Sequence, residues 1–224
     1  MKLLIRQGRL VDPVGGIGGV MDILLEDGRV AVIGSNLRDQ EAQIIDARGL
    51  VVCAGLVDMH VHLREPGLEY KETIATGCAA AAAGGFTSIA PMPNTRPATD
   101  CPEQVRYVLE KAAAACGVHV LPIGAVTMGE KGEELTDAEA LKRAGVAALS
   151  DDGMPVQNAN LMRDALIRAH RQNLTVLSHC EDADMVKNYA VNEGRISRQL
   201  RLEGRPAIAE EIMVMRDAML AEET

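Results

Sequence analysis

Gly55-Leu56-Val57-Asp58-Met59-His60-Val61-His62-Leu63-Arg64-Glu65-Pro66-Gly67 is an apolar run that ends in two histidines and passes into a Pro/Gly loop. The run has the length and texture of a strand, and residues two apart on a strand point the same way. His60 and His62 can therefore offer two imidazoles to one metal ion. A bare His-x-His pair is unspecific. This one ends a strand, has Asp58 two residues earlier as a candidate orienting carboxylate, and is followed by a polar loop of the kind that carries function.

On either side the chain changes character. Residues 2 to 52 read as short strands: Leu3 to Arg6 with a turn at Gly8, Asp22 to Leu25 and Val30 to Ile33 joined by Asp27-Gly28, and Gln43 to Asp46 before Arg48-Gly49. Asp-Gly between two such runs is a strong hairpin signal. From Val51 onward, short apolar runs alternate with Ala-rich helical stretches, the pattern of βα units on a parallel sheet. Strands are expected at Leu56 to His60, Phe86 to Ala90, Val118 to Val126, Ala147 to Ser150 and Thr175 to His179. Helices are expected at Lys71 to Ala83, Pro102 to Cys116, Asp137 to Ala144 and Ala159 to Gln172, with a broken helix after Glu181. Gly84-Gly85 and Gly145 suit helix C-caps, while Thr136 or Asp137, and Asp100 before Pro102, suit N-caps.

Periodicity cannot separate an open doubly wound sheet from part of a barrel. The polar residues can, because they gather at the carboxyl ends of several different strands, where barrel enzymes carry their chemistry. No Gly-x-Gly-x-x-Gly or Walker sequence follows the first strand, which weakens a nucleotide-binding reading. The expected architecture is α/β: a small β-rich domain over residues 1–52, a partial β-sandwich, followed over 53–224 by the first five βα units of an incomplete (β/α)8 TIM-type barrel.

His179 closes the strand Thr175-Val176-Leu177-Ser178-His179 and aims a third imidazole at the same face, while Asp151 and Asp152 follow Ser150 at the end of the preceding strand. One of these carboxylates could bridge two ions; the other suits a turn or cap. Nitrogen and oxygen ligands without thiolate suit zinc, with manganese or cobalt as substitutes. Such an ion acidifies water and polarises a carbonyl, which is the chemistry of amide hydrolysis. Ser178 and Cys180 flank His179, but strand neighbours face opposite ways, so neither makes a natural dyad with it. Arg64 can fork onto a carboxylate, and Asn94, framed by Pro91, Pro93 and Pro97, adds a directed amide; both are candidate substrate contacts.

Composition narrows the alternatives. A net charge of −9 without a basic run argues against a nucleic-acid or anionic-membrane surface, and 2% aromatic content with no Trp leaves little to stack on bases. No apolar stretch reaches the length of a membrane span, and Met1 to Val11 holds no signal-peptide core, so a soluble cytoplasmic protein is expected. Five scattered cysteines fit free thiols in a reducing compartment.

Three stretches, Asp58 to Gly67, Gly84 to Pro97 with its Met-Pro-Asn-Thr, and Ser150-Asp151-Asp152-Gly153 together with His179-Cys180-Glu181-Asp182, resemble the dihydroorotases of the class I bacterial type in the amidohydrolase superfamily. The resemblance implies His60 and His62 on one zinc, Asp152 shared between two zincs, and His179 on the second. It also implies Arg64 and Asn94 on the carboxylate of dihydroorotate. The implied reaction is the reversible interconversion of N-carbamoyl-L-aspartate and L-dihydroorotate in pyrimidine synthesis, with a homodimer or an association with aspartate transcarbamoylase among the implied assemblies. Hydantoinases use a carbamylated Lys as the bridge and allantoinases generally lack the Arg of His-x-His-Leu-Arg; an inactive structural partner of aspartate transcarbamoylase is the non-enzyme alternative. Family members run to roughly twice this length, so the resemblance puts a sixth-strand histidine and the catalytic Asp beyond Thr224, with no catalytic acid or base inside the chain and little activity from residues 1–224 alone.

Overall fold

The computed structural model describes residues 1–115, 117–186 and 190–224, and its chain divides into two compact units, Met1–Gly55 and Leu56–Thr224. In the first unit, β1 (Lys2–Asp12), β2 (Ile17–Glu26), β3 (Arg29–Gly34), β4 (Gln43–Asp46) and β5 (Val51–Cys53) make one five-stranded sheet. β1 is its spine. β2 pairs with it antiparallel, and β4 and then β5 share its other edge in parallel. The β2–β3 hairpin turns on Asp27 and Gly28, both at positive φ (50° and 78°), as Asp-Gly turns require.

The expected turn at Gly8 is not there. β1 runs on through a bulge between Ile5 and Gly8, with Gln7 at φ 57°. The bulge is held from inside: the buried Asp22 carboxylate accepts from Gln7 N at 2.7 Å and from Leu37 N at 2.9 Å. A glycine signal inside an apolar run reads equally as a bulge or a turn, and here the side chain across the sheet decides.

The second unit alternates strand and helix: β6 (Leu56–Val61), α1 (Ile74–Ala83), β7 (Phe86–Pro91), α2 (Pro102–Ala113), β8 (His119–Val120), β9 (Ile123–Ala125), α3 (Ala138–Ala144), β10 (Ala148–Ser150), α4 (Ala159–Arg171) and β11 (Thr175–Val176), then α5 (Arg195–Leu200) and α6 (Ile208–Glu223). Every strand pair is parallel and joins sequence neighbours, β6-β7-β8 and β9-β10-β11. A doubly wound sheet reverses its strand order at a switch point. This one does not.

The third expected strand, Val118 to Val126, is split. Its first half pairs with β7 and its second with β10, and Leu121-Pro122 lies between them. Leu121 N donates to Ile89 O and Ala147 N donates to Pro122 O, both at 2.9 Å, so the backbone changes partner at a proline that has no N–H to offer. Two larger cores follow the split, and a small third cluster of Ala90, Met92, Ile123 and Ala148 spans it. Leu63, Ile74, Cys78, Ile89, Val108, Val118 and Val120 pack on one side, and Leu141, Val146, Leu149, Val156, Met162, Ala165 and Ala169 on the other. α2 serves both, with Val108 in the first core and Val105 in the second.

Helix ends largely follow the sequence signals. Asp137 caps α3 by accepting from Ala140 N, and Gly145 ends it in the left-handed region at φ 112°. Asp100 does not cap α2: the N-cap is Cys101, without a side-chain cap bond, while the Asp100 carboxylate accepts from Gly129 N at 2.8 Å across the loops. Gly77 in α1 is required by close approach, since a Cβ there would collide with Leu63 Cδ2. Of the broken helix expected after Glu181, α5 and α6 are present, and residues 187–189 lie outside the described residues, as does Cys116 at the expected end of α2. Among the described residues no helix is long and apolar enough to cross a membrane.

Candidate metal centre

Each residue singled out from the sequence lies at or beyond the carboxyl end of a parallel strand. His60 is in β6 and His62 one residue past it, Asn94 follows β7, Asp152 follows β10, and His179 lies three residues past β11. Thr175 to His179 is thus strand only at its start. Leu177 remains tied to β10 through its N–H to Leu149 O at 2.8 Å and its carbonyl to Ser150 Oγ at 2.7 Å.

The Asp152 carboxylate is buried among three imidazoles. Its Oδ1 lies 3.2 Å from His60 Nε2 and 3.5 Å from His179 Nδ1, and its Oδ2 lies 3.6 Å from His62 Nε2. Ligand atoms of His60, His62 and Asp152 fall within 4.8 Å of one another, close enough to share an ion. The two histidine rings of β6 stand edge to face with centroids 5.2 Å apart. The Asp-Asp ambiguity is settled by hydrogen bonding. Asp151 turns the other way and accepts from Val126 N at 2.7 Å, Thr127 N at 3.0 Å and the Thr127 hydroxyl.

Asn94 has a contact that the sequence did not suggest. Its Nδ2 donates to Asp152 Oδ2 at 3.0 Å, and its Oδ1 is 3.1 Å from His62 Nδ1. A carboxylate only accepts, so the amide orientation is fixed, and Oδ1 must take the proton of His62 Nδ1. That tautomer leaves the His62 Nε2 lone pair facing Asp152, as a metal-ligating imidazole requires. Asn94 therefore orients two candidate ligands. Asp58, the expected orienter, instead accepts from the main-chain N of His60 at 3.1 Å.

Burial lowers the pKa of His62, with the Asn94 hydrogen bond opposing and the Arg64 charge assisting. The hydrogen bond to Asp152 raises that of His179. For Asp152, burial pushes upward, but the hydrogen bond with His179 and the three histidine charges outweigh it and the carboxyl is lowered. The lowered pKa values of His62 and Asp152 favour the neutral imidazole and the carboxylate, which are the ligand forms, and a cation would compete with the proton that Asp152 favours on His179. Imidazole nitrogens around a two-oxygen carboxylate, with no thiolate, form a donor set for a divalent ion.

Arg64 is half-buried, at φ 61°, and among the described residues it has no carboxylate partner. It lies close enough for its charge to depress His62.

A further acid sits beneath the site. Glu130 ends a short 3-10 turn after β9 at φ 56°, is 7% exposed, and keeps its Oε1 without a hydrogen-bond partner. Burial, then the charges of Asp151, Asp152 and Asp100, raise its pKa to about 8. A Glu-Lys pair between glycines reads as a solvated turn, so the sequence gives no warning of this. Because the folded pKa lies above the unfolded one, the native state holds the extra proton between them. Stability is full below about pH 4.5 and falls as pH rises toward 8, by at most about 1.4 kcal/mol per pH unit. Glu130→Gln should remove this slope: thermal midpoints of variant and parent should diverge in the variant's favour from about pH 4.5 to about pH 8 and run parallel above that. Parallel curves across that range would show that Glu130 does not carry the proton.

The family model described as dihydro-orotase-like matches residues 49–224. The chain belongs to the dihydro-orotase-like family. It is 50% identical over 228 residues to the dihydroorotase of Pelotomaculum thermopropionicum, covering all of this chain and 52% of that protein. It is 49% identical over 225 residues to the dihydroorotase of Geobacter sulfurreducens, covering 53% of it. The chain thus spans about half the length of the curated relatives it matches. Among solved structures, an L-hydantoinase (dihydropyrimidinase) from Arthrobacter aurescens superposes with TM-score 0.80 at 23% identity, over 99% of this chain and 50% of that one. A D-hydantoinase from Thermus sp. superposes at 0.71 and 26%, again over 50% of its length. The histidine–aspartate cluster is thus a candidate metal site on a dihydro-orotase-like sequence with this α/β fold.

Proposed function

We propose that this chain forms the metal-binding half of a zinc-dependent dihydroorotase, which interconverts N-carbamoyl-L-aspartate and L-dihydroorotate. In this reading residues 1–52 are part of a small β-rich domain and 53–224 the first five βα units of an eightfold barrel. The observation that carries it is the Asp152 carboxylate among His60, His62 and His179 at 3.2–3.6 Å, beside an Arg64 side chain that has no carboxylate partner among the described residues. Roughly 50% identity to proteins named dihydroorotase supports it over the hydantoinases, whose likeness at 23% is one of fold.

In this reading His60, His62, Asp152 and His179 hold the zinc. A bound divalent ion supplies acidified water and a polarised carbonyl at the cyclic amide. The chain's own groups do the rest. Arg64 receives the ring carboxylate through a two-pronged hydrogen bond and sets which carbonyl faces the ligand cluster. Asn94 holds His62 in the ligand tautomer and restrains the Asp152 carboxylate, so the cluster does not have to reorganise during the reaction.

The full-length protein should hydrolyse L-dihydroorotate when loaded with zinc, lose turnover on chelation, and regain it when zinc is returned. Hydrolysis of hydantoin or allantoin in preference to dihydroorotate would overturn the assignment, and intact protein that takes up no metal would favour a structural partner role.

A further inference from the structure

Arg64 is held in an uncommon way. Glu65 N donates to Leu63 O at 2.7 Å across a single residue, and that residue, Arg64, has φ 61°. This is a γ-turn of the positive-φ kind, which is rare and strained for a side chain with a Cβ. Something must hold the turn closed. The next side chain does so. The Glu65 carboxylate is buried, its Oε2 accepts from Ile74 N, the first N–H of α1, at 2.9 Å, and its Oε1 accepts from the Tyr107 hydroxyl at 3.0 Å and pairs with Lys111 Nζ at 3.3 Å. One carboxylate thus ties the Arg64 turn to the start of α1 and to the exposed side of α2. On the other flank Gly67 at φ 88° packs so tightly that a Cβ would strike Arg96 O, while Arg96 N donates to Pro66 O at 2.9 Å.

We propose that Glu65, with Tyr107 and Lys111, is a positioning residue that holds Arg64 in place to receive the carboxylate of a cyclic-amide substrate. The proposal rests on the functional reading above. Among the described residues the Glu65 network shares no hydrogen bond or ion pair with the ligand cluster, so it acts on the carboxylate end of the substrate and not on the metal.

The test uses the zinc-loaded full-length enzyme with Tyr107→Phe, Lys111→Met and Glu65→Gln. Tyr107→Phe and Lys111→Met act from the helix side and spare the turn itself, so they remain informative if Glu65→Gln folds poorly. Each should raise KM for dihydroorotate about tenfold with kcat little changed, the loss expected for one hydrogen bond to a charged group. Hydrolysis of dihydrouracil, which lacks the carboxylate, should be unaffected, and adding Tyr107→Phe to Arg64→Ala should cause no further loss on dihydroorotate. A second readout needs no turnover: modification of Arg64 by phenylglyoxal, followed by peptide mass, should be faster in all three variants. Unchanged modification, equal losses on both substrates, or full additivity with Arg64→Ala would overturn the positioning role. Faster modification in an enzyme that ignores dihydroorotate would keep the positioning role and reject the substrate.

Discussion

Asp152→Ala is expected to empty the metal site and reduce dihydroorotate hydrolysis by well over 100-fold. The lower bound follows from comparison: changing a residue that merely orients a metal ligand typically costs 10- to 100-fold in metal affinity or activity, and Asp152 is the carboxylate on which three imidazoles converge. Its loss also leaves the Asn94 Nδ2 donor, now bonded to the carboxylate at 3.0 Å, with only the longer contact of 3.4 Å to the Asp152 main-chain O. Asp151→Ala is the control. Asp151 binds Val126, Thr127 and the Thr127 hydroxyl and faces away, so its removal should cost stability and leave metal content near one equivalent per bound site. Metal analysis of the two purified variants separates the roles. Equal metal content in Asp152→Ala and the parent would remove Asp152 from the ligand set.

Arg64→Ala should weaken transition-state binding of dihydroorotate by about 2 to 5 kcal/mol, the range for truncating one partner of a buried, hydrogen-bonded charge pair. At about 1.4 kcal/mol per tenfold this is roughly 30- to 5000-fold in kcat/KM. An uncharged cyclic imide should lose far less. The contrast is the decisive quantity, because Arg64 pairs with no carboxylate among the described residues and so is available to a ligand. Equal losses for both substrates would make Arg64 structural and reopen the hydantoinase reading.

How far the residues could be read without coordinates depended on whether the deciding contact was local. Asp27-Gly28 announced its hairpin because both residues adopt positive φ within the turn itself. His60 and His62 were legible because a strand repeats every two residues, and the strand-end placing of Asp152 and His179 followed from alternating texture. Gly8 was misread because the bulge is stabilised by Asp22, on the opposite strand. Asp100 was misread as a cap because its partner, Gly129, belongs to another loop. The Asn94 bridge joins residues 32 and 58 positions apart, which no spacing rule reaches. Glu130 is the extreme case, since its burial depends entirely on how the loop after β9 folds over it.

The change of partner at Pro122 has a thermodynamic consequence. His60 and His62 belong to the sheet and core on one side of that proline, Asp152 and His179 to the sheet and core on the other. A cation shared among them would add a further brace between two halves already joined by α2, the broken strand and a small core of Ala90, Met92, Ile123 and Ala148. Ion binding then adds its free energy to the joint and not to either half, by about 2.7 kcal/mol at a concentration a hundredfold above the dissociation constant. With the ion bound, amide protons in β6 and β7 are expected to open in closer concert with those in β10 and β11 than without it, which hydrogen exchange with and without metal would read.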